Sequence, residues 1–150
     1  MTTTDLDTDI AFAKMTNDYP RIIRLETQKH ILKRKGQVDH QVVHYITVPR
    51  QAGKTTTLRE LTLTQELGRT LFVGMTDDIL TYARNCTLFQ MYSFEPARFV
   101  GTAAFDLILV DEYEYVLRHQ HNYFHNLVFQ TVNQGVLKPD GAIVAVGTPY

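Results

Sequence analysis

The sequence predicts an α/β fold in which a mainly parallel sheet is flanked by helices in three layers. Short apolar runs typical of strands alternate with helix-prone segments, the order expected of a doubly wound parallel sheet. Apolar residues make up 44% of the chain and charged residues 21%, which are globular values. At 150 residues the chain is long enough for one domain with one core.

The first part of the chain predicts two helices and a strand. Residues 1–20 form an N-terminal polar tail with a weak helix that ends at Pro20. The amphipathic segment 24–35 is a second helix, and Gly36 is its stop signal. The apolar run 42–48 is the first core strand.

The middle of the chain continues the alternation. Residues 54–67 form a helix, with Gly68 as the residue just past its end. A second strand covers 70–74. The segments that follow are a helix capped by Asp77 or Asp78 that runs to about Asn85, and an irregular stretch over 86–104 with at most one short strand near Phe89–Ser93.

The last part of the chain predicts a strand over 106–110, a helix over 120–134 and a final strand. In the first of these strands, residues 107–110 are continuously apolar, as in strands buried on both faces of a parallel sheet. Pro139-Asp140-Gly141 is a turn that precedes the final strand, which starts at Ala142.

The segment between the first strand and the next helix has the layout of a phosphate-binding loop (Walker A). It reads Pro49-Arg50-Gln51-Ala52-Gly53-Lys54-Thr55-Thr56. Backbone N–H groups of such a turn point at phosphates, and the lysine adds charge near the β- and γ-phosphates. A threonine hydroxyl, that of Thr55, completes the shell of a Mg²⁺ ion. The alternative is a surface turn that starts a helix, since the usual first glycine is replaced by Val48.

Two carboxylates follow the apolar run 107–110 (Walker B). The C-terminal ends of strands are where open α/β sheets bind ligands. Asp111 can hold Mg²⁺ through its water shell, and Glu112 can accept a proton from an attacking water. The alternative is a solvated acidic turn. Thr148, at the tip of the final strand, is a candidate sensor of the γ-phosphate or, equally, an ordinary exit from the strand.

With these motifs placed, the chain resembles the ATPase domain of the large terminase subunit, a P-loop NTPase that packages viral DNA. That family often reads Arg-Gln-x-Gly-Lys-Thr, as residues 50–55 do, followed by a strand ending in Asp-Glu. The resemblance covers roughly residues 22–150. It implies a RecA-like fold that binds ATP and Mg²⁺ and hydrolyses ATP.

The resemblance also implies roles for individual residues. Gln28 takes the place of the family's adenine-reading glutamine, and Thr148 with Pro149 resembles its coupling motif. Arg50 is the candidate for stabilising the transition state within the chain, and Arg98 is an alternative, within the chain or across a ring interface. The phosphate-contacting set implied is Arg50, Gln51, Ala52, Gly53, Lys54, Thr55 and Thr56.

Further expectations follow from the same family. Residues 21–150 would be the ATPase domain, ending after the coupling motif and without the family's nuclease domain. Partners would be double-stranded DNA, other copies of the chain in a ring, and portal or small-terminase-like proteins, with no membrane. The location would be the host cytoplasm during virus assembly, or otherwise the cytoplasm. Two other readings stay open: a helicase-like ATPase or nucleotide kinase, and a non-hydrolysing nucleotide-binding assembly module.

Charge, cysteine content and histidine spacing also bear on function. A net charge of −1 gives no global field for nucleic acid, so DNA contact needs a local patch. The basic run Lys29, Lys33, Arg34 and Lys35 is either such a patch or a solvated helix face. One cysteine, Cys86, excludes an internal disulfide. His121 and His125, four residues apart, can hold a metal or lie exposed on a helix.

Overall fold

The computed structural model of the protein describes residues 3–36, 41–49, 53–62, 68–74, 86–90, 104–111 and 121–148. These ranges contain four helices and five strands. In chain order they are α1 (Thr3–Met15), α2 (Tyr19–Gly36), β1 (Val43–Thr47), α3 (Lys54–Thr62), β2 (Thr70–Gly74), β3 (Cys86–Gln90), β4 (Phe105–Asp111), α4 (His121–Asn133) and β5 (Leu137–Gly147).

The five strands form one sheet in the order β1-β5-β4-β2-β3. All four neighbouring pairs are parallel. The predicted α/β class with a parallel sheet is therefore confirmed. β5 comes latest of the five in the chain, yet it lies between β1 and β4.

Helices lie against both faces of the sheet, because successive side chains of β1, β2, β4 and β5 alternate between two apolar clusters. On one face, Ile46, Phe72 and Leu109 pack with Ile23 of α2 and with Leu58 of α3. The cluster on the other face contains Leu71, Val73, Phe105, Ile108, Val110, Ile143 and Ala145, with Val128 of α4 packed against it. Fully burying one such side chain contributes roughly 1.5–3 kcal/mol, so the two-sided sheet is the main core.

The N-terminal region is more structured than the sequence predicted. α1 packs on α2 through Leu6, Ile10 and Leu25, which form a separate buried cluster. The prediction that a helix ends at Pro20 is wrong, because α2 begins at Tyr19 and Pro20 lies in its first turn. Proline is well tolerated there, since the first helical N–H groups have no intrahelical acceptor.

The predicted turn Pro139–Gly141 lies inside β5 rather than before it. Phe105 pairs with Leu137 and Leu107 pairs with Ala142, so β5 carries extra residues opposite Asp106. This bulge carries the proline and glycine, which a regular ladder disfavours.

Arg34 joins the end of α2 to this bulge. Its side chain is only 3% exposed. Nε donates a hydrogen bond to the Gly141 carbonyl and Nη2 donates one to the Pro139 carbonyl, both at 2.8 Å. The expectation that Arg34 lies on a solvated or DNA-contacting surface is therefore wrong.

Asp106 joins the bulge to the start of β2. Its Oδ1 accepts from Lys138 Nζ at 2.8 Å, and its Oδ2 accepts from the Arg69 N–H at 2.9 Å. Partial burial raises the pKa of the Asp106 carboxyl, but these two hydrogen bonds and the positive charges of Lys138 and Lys35 together outweigh it and hold the pKa below its usual value. A side chain at Gly68 would collide with this carboxylate, since a Cβ there would lie 2.5 Å from Oδ2.

The other predicted elements agree with the structure to within a few residues where it describes them. Exceptions are the helix expected from Asp77 or Asp78 to Asn85 and the stretch over 91–103, which lie outside the described residues. The strand β3 starts at Cys86, slightly before the short strand expected near Phe89. Within the described residues, no helix has the length and apolar character needed to cross a membrane.

Candidate functional site

Gly53 connects the loop after β1 to helix α3. The chain leaves the sheet after Val48, whose N–H donates to the Gly147 carbonyl at 2.9 Å. Gly53 has φ of +74°, and α3 begins at the next residue, Lys54. The Gly53 carbonyl accepts from the Thr57 N–H at 2.9 Å and from Thr57 Oγ1 at 2.7 Å. Gly53 thus occupies the capping position of the helix.

The positive φ explains why a glycine precedes Lys54. Other L-residues pay roughly 1–2 kcal/mol in this left-handed region, whereas glycine enters it freely. The first N–H groups of α3, at residues 54–56, have no acceptor within the helix and carry the positive end of its dipole. This arrangement favours an anion such as a phosphate at the start of α3.

Asp111 lies at the end of β4 on the same edge of the sheet as the loop after β1. Its side chain is only 5% exposed. Val146 of β5 pairs with Asp111 on one side and with Ile46 on the other, so Asp111 and Ile46 are level. Two strand spacings of about 4.8 Å separate β1 from β4, which puts their ends roughly 10 Å apart.

Thr148 completes this edge. It follows Gly147, the last residue of β5, and is half-buried. Because β5 separates β1 from β4, Thr148 leaves the sheet between the exits of the other two strands. We call the region formed by Gly53, the start of α3, Asp111 and Thr148 the C-terminal edge site.

The connections on either side of this site diverge. The chain after β1 enters α3 on one face of the sheet, and the helix that precedes β5 packs on the other face. Such a change of face along a parallel sheet is the place where open α/β folds hold ligands. The site therefore lies where the topology favours binding.

Several predicted site residues are not described. Arg50, Gln51, Ala52, Glu112 and Arg98 lie outside the described residues, as do the side chains of Lys54, Thr55, His121 and His125. Thr56, in the first turn of α3, is exposed. The positions of the phosphate-loop residues and Glu112 follow only from their places in the chain, next to the described ends of β1 and β4.

Gln28 does not lie at the C-terminal edge site. Pro20 of α2 approaches the loop, with its Cγ 3.6 Å from the position of a Cβ on Gly53. Gln28 comes eight residues later on the same helix, about 12 Å along its axis. Arg24, one turn before Gln28, pairs with Glu60 of α3, so Gln28 lies on the side of α2 that faces α3.

The three lysines of the predicted basic run differ in their surroundings. Lys29 forms an ion pair with Asp7 of α1. Lys35 is exposed and Lys33 is half-buried. The basic surface on this helix is consequently smaller than the sequence suggested.

A groove that the sequence did not reveal lies between α2 and β1. It has a volume of about 320 Å³, and its lining includes Tyr19, Ile22, Glu26, His44, Thr47 and Val48. We call it the α2–β1 groove. It arises where the paired helices α1 and α2 pack beside β1, which is a tertiary contact without a local sequence signal.

Charged and polar groups occupy the end of this groove away from the loop. Glu26 contacts His44 Nε2 and Lys14 Nζ, each at 3.5 Å. Burial alone raises the pKa of the Glu26 carboxyl, but His44 and Lys14 together outweigh it and hold the pKa below its usual value. The His44 ring stacks on that of His30, with centroids 5.4 Å apart.

The donor set at the C-terminal edge site suits a hard cation bound through water. Among the described residues no group of three or more His, Cys, Asp or Glu could hold a metal ion. Mg²⁺ does not need such a cage, because it keeps several waters and is usually held by one or two carboxylates plus phosphate oxygens. One buried carboxylate near the start of a helix, where the backbone N–H groups favour an anion, fits that pattern.

Comparisons with known proteins do not identify the chain. No protein-family model matches the sequence. No curated protein matches it at a significant level.

Proposed function

We propose that this chain binds a magnesium-bound nucleoside triphosphate, ATP, and hydrolyses it, as the ATPase domain of a large terminase subunit does. One observation carries the proposal. The loop before α3 and the acidic end of β4 share one edge of a parallel sheet, separated by a single strand. This spacing allows both segments to contact one triphosphate.

The phosphate loop supplies the binding charge. The amides at the start of α3 hydrogen-bond phosphate oxygens, and the ammonium of Lys54 neutralises charge on the β- and γ-phosphates. Arg50, Gln51, Ala52 and Thr56 belong to this set by their places in the loop. The left-handed Gly53 supports it, because it lets the backbone approach the ligand without a side chain.

Residues at the end of β4, together with residues of the phosphate loop, carry out the hydrolysis of ATP. Thr55 and Asp111 hold the shell of Mg²⁺, which offsets negative charge on the phosphates when bound. Glu112 orients the attacking water and removes its proton. Arg50, or Arg98, stabilises charge that develops in the transition state, and Thr148 transmits the state of the γ-phosphate.

The finer assignments belong to the same proposal. A RecA-like P-loop fold, a ring of copies and translocation of double-stranded DNA follow from the family resemblance. The parallel sheet with helices on both faces supports the fold. With a net charge of −1, DNA binding would have to use a local basic surface.

The test is ATP turnover by the purified chain, with and without double-stranded DNA. Glu112→Gln should lower turnover by about 10²–10⁴-fold while Mg-ATP still binds, because only proton removal is lost. Lys54→Ala should weaken binding itself. Matched controls are Asp140→Asn and Lys35→Ala, which change exposed residues away from the C-terminal edge site.

Each outcome decides between the alternatives. Equal turnover by wild type and Glu112→Gln would remove the catalytic assignment of Glu112. Binding of Mg-ATP without turnover in any assembly state would favour the non-hydrolysing assembly module. A folded wild-type chain that binds no nucleotide would contradict the whole proposal.

A further inference from the structure

We propose that the α2–β1 groove binds the base of the nucleoside triphosphate. The proposal rests on the proposed function, because it takes the triphosphate to lie across the C-terminal edge site. It places the base beside Tyr19, Ile22 and Val48 rather than beside Gln28.

The direction of the bound nucleotide follows from the strand order. Mg²⁺ and the γ-phosphate belong near Asp111, two strands inward from β1. The other end of the nucleotide must then extend outward, past β1. Among the described strands β1 lies at that margin of the sheet, and the α2–β1 groove lies beside it.

The groove adjoins the residues that flank the phosphate loop. Val48 lines it and is the penultimate described residue before the loop. Tyr19 lines it as well, and its neighbour Pro20 lies next to Gly53. A ligand that leaves the loop on the outer side of β1 therefore meets this groove first.

The lining suits an aromatic ring with polar edges. Near the loop the groove offers the ring of Tyr19 and the apolar side chains of Ile22 and Val48. Bases of any kind stack on aromatic side chains in nucleic-acid-binding proteins, because every base has a π-face. Farther in, the carboxylate of Glu26 can accept hydrogen bonds from an amino group on the base, and Lys14 and His44 can donate.

Gln28 is poorly placed for the same task. It is exposed on the side of α2 that faces α3, and it does not line the groove. An amide there cannot meet a base that extends past the opposite side of the helix. A base beside Tyr19 and a base beside Gln28 therefore predict opposite effects of substituting these two residues on nucleotide affinity.

The test compares binding of a non-hydrolysable ATP analogue with binding of inorganic tripolyphosphate, both with Mg²⁺, by titration calorimetry. Tyr19→Ala should weaken binding of the analogue about tenfold and leave tripolyphosphate unchanged. Tyr19→Phe, which keeps the ring, should restore most of the affinity. Gln28→Ala should change neither ligand.

Contrary results are equally specific. An equal loss for both ligands in Tyr19→Ala would mean that Tyr19 only supports the loop, and a selective loss in Gln28→Ala would place the base at Gln28. Either result overturns the groove but leaves the proposed function intact. Failure of wild type to bind tripolyphosphate and the analogue would remove both.

If Tyr19→Ala does not fold, nuclear magnetic resonance on the wild-type chain tests the same proposal. Nuclear Overhauser contacts between the base protons of the bound analogue and the methyl groups of Ile22 and Val48 are expected. Contacts to α3 in their place, or base protons without contacts to the groove, would overturn the proposal.

Discussion

At the scale of single residues, two glycines determine the backbone conformation just before α3 and just before β2. Gly53 and Gly68 both have positive φ, +74° and +80°, but for different reasons. At Gly53 a Cβ would meet only an ordinary contact with Pro20, so the backbone conformation alone requires glycine. At Gly68 the conformation and the nearby Asp106 carboxylate both exclude a side chain.

Asp106 should make stability depend on pH. Its pKa in the folded chain lies below the usual value of about 3.9. The folded state therefore gains stability above that usual value and loses it as the pH falls through the folded pKa. We expect Asp106→Asn to lower the urea midpoint slightly at pH 7, with the difference disappearing in acid.

Urea unfolding from pH 7 to pH 2.5 measures this effect. Asp140→Asn, on an exposed residue of the same bulge, controls for the loss of one negative charge. A wild-type and an Asp106→Asn profile that stay parallel over the whole range would show that the ion pair does not contribute.

At the scale of elements, the contact between the end of α2 and the bulge of β5 joins residues that are far apart in the chain. The sequence places Arg34 in the basic run of α2, because nothing in the local pattern distinguishes it from the neighbouring lysines. The bulge of β5 contains the carbonyl groups that Arg34 bonds, and only tertiary packing brings them to α2. Local propensity predicts where α2 ends but not what its last turn contacts.

Arg34→Met should destabilise the protein by about 3 kcal/mol. The methionine fills part of the space but leaves the carbonyls of Pro139 and Gly141 without their charged donor, at roughly 1–3 kcal/mol for each orphaned group. Urea denaturation at neutral pH gives the free energy of unfolding. Lys35→Met, at the exposed neighbouring position, should change it by less than about 0.5 kcal/mol.

Near-equal stability of Arg34→Met and wild type would mean that water satisfies both carbonyls. In that case Arg34 would not hold α2 against the bulge. A lower m-value in the variant would instead indicate a looser folded state.

At the scale of the whole molecule, the apolar runs predicted the class of fold correctly. Residues 107–110 and 142–146 are apolar without alternation because both faces of the sheet are covered, so their strands were recognisable. The strand order was not predictable, since no local feature states that β5 inserts between β1 and β4. The α2–β1 groove was missed for the same reason.

The candidate site was predictable only where short motifs coincide with strand ends. Gly53 and Asp111 were identified because phosphate and metal chemistry need those residue types after a strand. Gln28 was assigned by family resemblance alone, and the structure puts it about two helical turns from Pro20. The role of Gln28 in contacting a base therefore stays a prediction.

The central position of β5 gives a test of the whole fold. A chain of residues 1–135 lacks β5, so β1 loses its neighbour and β4 loses one of its two. We expect no cooperative thermal transition and no Mg-ATP binding from this fragment. Differential scanning calorimetry and circular dichroism measure the first, and titration calorimetry measures the second. A sharp transition in the fragment would contradict the expectation.

The same strand order sets a sequence of events during synthesis. While a ribosome extends the chain, the segments carrying Lys54 and Asp111 are already made but have no strand to bridge them. Translation proceeds at about 5–20 residues per second, so this unfinished state lasts for seconds. Its exposed apolar strands would be targets for chaperones, and the C-terminal edge site would not be complete until residues 137–147 had emerged and inserted between β1 and β4.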